Sequence, residues 1–312
     1  MSTVLDPPAS RTSPAERLRT TMAAVRVTVR WLGVRKTLTP EQKARAADPF
    51  GAEGDFLSAG KKLLDTNHPA FKRVRGVKHK AVGYWKGITL PYPEPGIRLI
   101  RQDDLDMFDV QMRCCVEELN DAVAELDRHY GQLKRAAAQR LGSLYNPADY
   151  PEQLTGLFGL EWEFPSVEPP EYLRDLNPGL YEQEAARATA RFDEAVQLAE
   201  QAFAEELEKL IAHLAERLSG STDGRPKIFR DSAVENLGEF FQRFRRLNVR
   251  SSEQLDELVE QARRLVDGVE PQQLRDNGGL RERVAAGLTQ VHGLLDDLLV
   301  DRPRRNLLRR AR

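Results

Sequence analysis

Apolar and polar positions along this 312-residue chain follow two different periods. Near the N-terminus the period is two. Val25, Val27, Val29 and Trp31 alternate with Arg26, Thr28 and Arg30, which predicts a half-buried strand ended by Gly33. Ile97 and Leu99 offer a short partner strand. Between them, Thr39-Pro40-Glu41 reads as a helix start with Thr39 as N-cap and Pro40 at the first helical position. Residues 87–96, with Pro91, Pro93 and Pro95, read as an extended connector.

From Asp103 the period becomes helical. Leu105, Phe108, Met112, Cys115, Leu119, Val123, Leu126, Tyr130, Leu133, Ala137 and Leu141 form one apolar stripe. A second runs through Phe192, Val196, Ala199, Phe203, Leu207, Leu210, Leu214 and Leu218, its eleven-residue repeat implying nearly straight packing. Two helices of about 55–60 Å each, with matched stripes, predict a long antiparallel, coiled-coil-like hairpin. Residues 142–179 join the arms and hold Tyr145, Tyr150, Phe158, Trp162, Phe164 and Tyr172 with seven acids and only Arg174 as a base. The hairpin tip therefore reads as an acidic, aromatic cap, with a short strand from Leu160 to Phe164. Past a turn at Gly220–Gly224, helices are expected at 232–247, 252–267 and 279–300, Ser251 and Gln254 having capping-box spacing.

The fold class is thus mainly α. A flexible arm (1–22) precedes a small basic α+β head (23–101), the long hairpin (102–219) and a C-terminal helical bundle with an arginine-rich tail (220–312).

Composition narrows the function classes. A mean hydropathy of -0.54 and the lack of any long apolar run argue against a membrane protein. There is no apolar core of a secretory signal in the first residues, and Cys114 and Cys115, adjacent in sequence, make no disulfide framework, which fits a reducing cytoplasm. The near-neutral charge of -1 conceals a segregation: residues 1–100 hold 18 basic and 8 acidic side chains, 101–219 hold 11 and 25, and 220–312 hold 18 and 15. A basic head is followed by an acidic middle, the pattern of polar partner surfaces.

Candidate chemistry concentrates in the head. Lys61, Lys62, Lys72, Arg73, Arg75, Lys78, Lys80 and Lys86 are opposed only by Asp65, with Phe71, Tyr84 and Trp85 interleaved. Such clusters bind phosphate backbones through counterion release, and aromatics such as Trp85 add base stacking. The same cations could instead dock on the acidic helices of their own chain or a neighbour's. In the tip, Tyr150, Phe158, Trp162 and Phe164 either fill a miniature core or anchor a partner protein. The tail arginines (Arg304, Arg305, Arg309, Arg310 and Arg312) suit phosphate or solubility.

Gly54 to Lys62 resembles a phosphate loop but has five residues between its glycines and Lys62 where a hydroxyl is needed. The five histidines are scattered; His129 and His213 could meet across the hairpin. No catalytic residues, cofactor or metal ligands are assigned, and no enzyme is expected.

The stretches VRVTVRWLGVRKTLTPEQ and LSAGKKLLD, followed by a long helix, resemble an uncharacterised domain family of phages and bacteria whose genes often neighbour MoxR-type AAA ATPases. The resemblance covers about residues 24–140. It implies a bacterial or mobile-element cytoplasmic setting and an AAA ATPase partner. The expected function is a non-enzymatic interaction or scaffold protein working through the hairpin, as an oligomer or adaptor. The alternative is nucleic-acid binding by residues 61–86 and the tail.

Overall fold

The structure, a computed structural model, describes residues 12–219 and 231–300. Within them the chain forms α1 (Pro14–Thr21), β1 (Met22–Arg30), β2 (Arg35–Thr37), α2 (Pro40–Ala47), β3 (Gly60–Lys62), α3 (Pro69–Gly87), β4 (Thr89–Pro91), β5 (Ile97–Arg101) and α4 (Leu105–Leu141). There follow β6 (Gly159–Glu163), α5 (Tyr172–Leu176), α6 (Pro178–Leu218), α7 (Ser232–Leu247), α8 (Glu253–Val266), α9 (Pro271–Asp276) and α10 (Gly278–Val300). The protein is mainly α, as the periodicity predicts, and no helix among the described residues is long and apolar enough to cross a membrane. The tail arginines and the turn at 220–224 lie outside the described residues.

Two compact units divide the chain, each from non-contiguous segments. One combines residues 25–87 with 103–164; the other combines 1–24, 88–102 and 165–312. This partition cuts across the head, hairpin and bundle read from the sequence. The two long helices fall in different units, and each covers its stripe with partners of its own unit: α3 lies along α4, while α10, α1 and α7 lie along α6. Residues 142–179, read as the tip, are divided between the two units at Phe164.

In the unit built on α4, β1 from Arg26 to Arg30 pairs antiparallel with β6, Arg26 opposite Glu163 and Arg30 opposite Gly159. Phe108, Met112, Cys115, Leu119, Leu126 and Tyr130 of the predicted stripe are buried. Against them lie Phe71, Val74 and Ala81 of α3, also buried. Ion pairs Arg26–Glu163 and Arg30–Glu161 tie the strands on their exposed side.

In the unit built on α6, buried residues of the α6 stripe (Phe192, Ala199, Phe203, Leu207, Leu214 and Leu218) share one core with Leu237 and Phe240 of α7 and Leu288, Val291 and Leu295 of α10. Phe203 meets Phe240 and Phe244 edge-on, at ring-centroid distances of 6.1 and 5.0 Å. The expected connector 87–96 is in fact β4 and a turn through Gly96, which pairs with β5 so that Leu90 faces Leu99.

Residues 14–21 of the expected N-terminal arm form a helix instead. Ser13 and Glu16 form a reciprocal capping box that starts α1, and Ala15 and Leu18 are buried. Ser252, rather than Ser251, caps α8, its hydroxyl accepting from the Leu255 amide at 3.3 Å.

Candidate nucleic-acid interface

Helix α3 starts where Pro69 follows His68, whose ring nitrogen accepts from the Ala70 amide at 3.3 Å. Between Pro69 and Gly87 there are six Lys and Arg, one His and no acid. The apolar residues Phe71, Val74, Val77 and Ala81 recur at helical spacing and face the core, so the cations are distributed over the remaining circumference.

That circumference has three parts. On one flank Arg73 pairs with Glu125 and Lys80 with Glu118 at 2.5 Å, both acids on α4. On another, the Lys78 ammonium sits 4.6 Å above the Trp31 ring. Between these flanks lies a stripe of Lys72, Arg75, Gly76, His79, Gly83 and Lys86, all exposed. At 100° per residue the six positions fall within an arc of about 100°, and Lys72 to Lys86 spans about 21 Å. Among the described residues Lys72, Arg75 and Lys86 have no ion-pair partner. Among the described residues, intramolecular ion pairs therefore occupy one side of the helix and leave the other without a partner.

The two glycines shape this stripe. A Cβ at Gly76 or Gly83 would meet nothing within 4 Å, so neither is required by packing. Their absent side chains leave the backbone open to close approach by another molecule. Replacing each by alanine is expected to stabilise the fold by about 0.5–1 kcal/mol, the helix-propensity gain at exposed positions, as read from urea midpoints. A loss of stability would mean that these glycines serve the fold.

A second cationic element lies in the β2–β3 ribbon, where Arg35 stands opposite Lys62 and Lys36 opposite Lys61. Like charges directly across a strand pair repel. One face is resolved by Asp149, whose side chain is only 1% exposed: Oδ1 lies 2.5 Å from Lys36 Nζ and Oδ2 lies 2.6 Å from Lys61 Nζ. Lys61 also donates to the Leu144 carbonyl oxygen at 2.6 Å. The two ammonium groups, Lys36 foremost, hold the Asp149 carboxyl below the usual carboxylate range. On the other face Arg35 and Lys62 are exposed and have no ion-pair partner among the described residues. Lys62 lines a cleft of about 650 Å³ walled by Leu63, Leu133 and Leu141.

The residues singled out in the sequence thus separate. Lys62, Lys72 and Arg75 remain free, whereas Lys61, Arg73 and Lys80 are held in ion pairs and Lys78 by an aromatic face. Trp85 is half-buried, Phe71 is buried, and Tyr84 stacks on Phe108 at 6.2 Å. The interleaved aromatics serve the core, so the expected stacking platform is not formed. Nor is there a phosphate loop, because Lys61 and Lys62 lie in a strand rather than at a helix start.

Three of the four aromatic residues assigned to a partner surface are drawn inward too. Tyr150 is buried and its hydroxyl donates to the Leu63 carbonyl oxygen at 3.0 Å; Phe158 is buried edge-on to Trp31 at 4.8 Å. The Trp162 indole donates to Asp109 Oδ1 at 3.1 Å and packs against Phe108. Of the four, Phe164 alone is largely exposed, at 47%. His129 meets not His213 but His68, with rings 5.1 Å apart.

Asp149, Lys36 and Arg35 were not recognised in the sequence, since only the ribbon register brings their charges together. Phe50 and Phe56, 83% and 87% exposed, were also missed. They end two short 3-10 turns, Asp48–Phe50 and Gly54–Phe56, joined through Gly51 at φ 59°, and Gly54 lies so close to α2 that a Cβ would come within 2.7 Å of the Ala44 nitrogen. A loop held this tightly presents its phenylalanines outward, and the Gly-punctuated Asp-Pro-Phe-Gly segment was the available signal. Comparison of the chain with models of known families, with curated proteins and with solved structures finds no match.

Proposed function

We propose that this is a non-enzymatic nucleic-acid-binding protein that contacts the phosphate backbone through the free stripe of α3. What carries this reading is the division of the helix: its cations facing α4 are neutralised by Glu118 and Glu125, while Lys72, Arg75 and Lys86 on the open side are not. An acid-free helix with exposed glycines suits close approach to a polyanion. Arg35 and Lys62 supply further positive charge in the same unit. The reading is tested by fluorescence anisotropy with a labelled DNA duplex over a salt series. Three phosphate contacts give a log–log slope of about -2.7 on duplex DNA. Absence of binding to DNA and RNA at low salt overturns it.

A second reading, a scaffold or adaptor protein in the cytoplasm, is favoured by Phe50 and Phe56. Exposed aromatics on a braced loop are the usual anchors of protein interfaces. The antiparallel hairpin expected of residues 102–219 and the AAA ATPase partner implied by the family resemblance belong to this reading. Replacing both phenylalanines by serine is expected to change stability by no more than about 0.5 kcal/mol while abolishing co-elution with a purified MoxR-type ATPase. Co-elution that survives the replacement places the contact elsewhere.

A further inference from the structure

A cluster in the unit built on α6 stands apart from the cationic helix. Glu208 of α6 and His292 and Asp296 of α10 bring one imidazole nitrogen and two carboxylate oxygens within 4.8 Å of one another. His292 Nδ1 lies 3.9 Å from Asp296 Oδ2, the two residues being one helical turn apart on the same face. Glu208 reaches them from the neighbouring helix. Glu208 and His292 are half-buried and Asp296 is exposed, so the group sits at the rim of the α6–α10 contact, open to solvent on one side.

Within the described residues the charge of this place is not compensated. Two carboxylates converge, yet among the described residues no lysine or arginine pairs with either. The nearby Lys209 is directed to Glu205, at 3.9 Å. Beside Asp296 the described residues place the His292 imidazole and the Glu208 carboxylate. We propose that Glu208, His292 and Asp296 bind a divalent transition-metal ion, with zinc as the reference occupant, and that the ion pins α10 to α6.

The donor set selects among cations. Imidazole nitrogen is a ligand for zinc and its neighbours in the first transition row, whereas calcium and magnesium take oxygen ligands. Three protein donors leave a fourth, solvent-facing position to water, as the one-sided exposure allows. Zinc–ligand bonds of about 2.0–2.2 Å set neighbouring donor atoms about 3.4 Å apart. The present spacing closes to that by side-chain rotation of Glu208 and Asp296, since His292 and Asp296 are already near it.

The test is calorimetric titration of the chelator-treated full chain with zinc chloride, with thermal unfolding measured in parallel. Cys114 is an exposed thiol elsewhere in the chain, so the measurement is made in a Cys114→Ser background. One equivalent of zinc binds and raises the melting temperature. His292→Ala and Glu208→Gln each weaken binding at least tenfold and remove the thermal shift, with far-UV circular dichroism unchanged. His292→Gln, which keeps the side chain's bulk, behaves like the alanine variant. The proposal fails if zinc does not bind at tens of micromolar, if binding persists undiminished in the His292 and Glu208 variants, or if magnesium protects as well as zinc.

Discussion

Replacing Lys72, Arg75 and Lys86 together by glutamate is expected to reduce affinity for a DNA duplex at low salt by at least a hundredfold, about 2.7 kcal/mol, and to flatten its salt dependence. Each lost phosphate contact removes about 0.9 from the log–log slope. These side chains are exposed and unpaired, so the variant should unfold within about 0.5 kcal/mol of the parent chain. The decisive comparison is Arg73→Gln with Lys80→Gln. Those cations lie on the same helix but face Glu125 and Glu118, and exposed ion pairs of this kind contribute about 0–1 kcal/mol to stability. Neutralising them should cost less than threefold in affinity. Equal losses in the two variants would mean that bulk charge, not one face of α3, governs binding. Anisotropy at two salt concentrations separates these outcomes.

The length and burial of the long helices were legible because 3.6-residue periodicity is a local property. Phe108, Met112, Cys115, Leu119 and Leu126 face inward as read, and α7 spans the residues expected of it. Partner choice was not legible. An apolar stripe records that something covers it, and α3 covers α4 although α3's own stripe, Phe71-Val74-Val77-Ala81, lies within a segment that reads first as a run of charge. The same holds for the candidate sites. The basic character of residues 61–86 was plain, but which cations are free depends on Glu118, Glu125 and Asp149, far along the chain. Tyr150 and Phe158 looked like anchors in an acidic, proline-rich stretch, and the β1–β6 pairing draws that stretch into the core. Glu208 is 84 positions from His292, so no spacing rule could join them; only the histidine–aspartate turn on α10 was a local signal.

Asp149→Ala is expected to destabilise the α4 unit by about 3–5 kcal/mol, the usual result of removing one partner from a buried ion pair. The reason lies in the ribbon register. Lys36 and Lys61 face each other across β2 and β3, and the Asp149 carboxylate is the anion that satisfies both. Without it Lys36, whose side chain is 56% exposed, returns to solvent, but Lys61 is 6% exposed and keeps only the Leu144 carbonyl oxygen. A cation stranded in that way costs far more than the pair contributed. Adding Lys61→Met to Asp149→Ala removes the stranded charge and should recover most of the loss, which a simple packing defect at position 149 would not permit. The pH dependence has a definite sign. Lysine contacts lower the folded-state pKa of Asp149 below its unfolded value of about 3.9. Its contribution is therefore fully present above pH about 4 and is lost as the pH falls through the lowered folded value. Urea unfolding should show the parent chain losing stability more steeply than Asp149→Ala below that pH and in parallel with it above. An Asp149→Ala variant within 1 kcal/mol of the parent at neutral pH would show that the ribbon's charges are balanced by solvent instead.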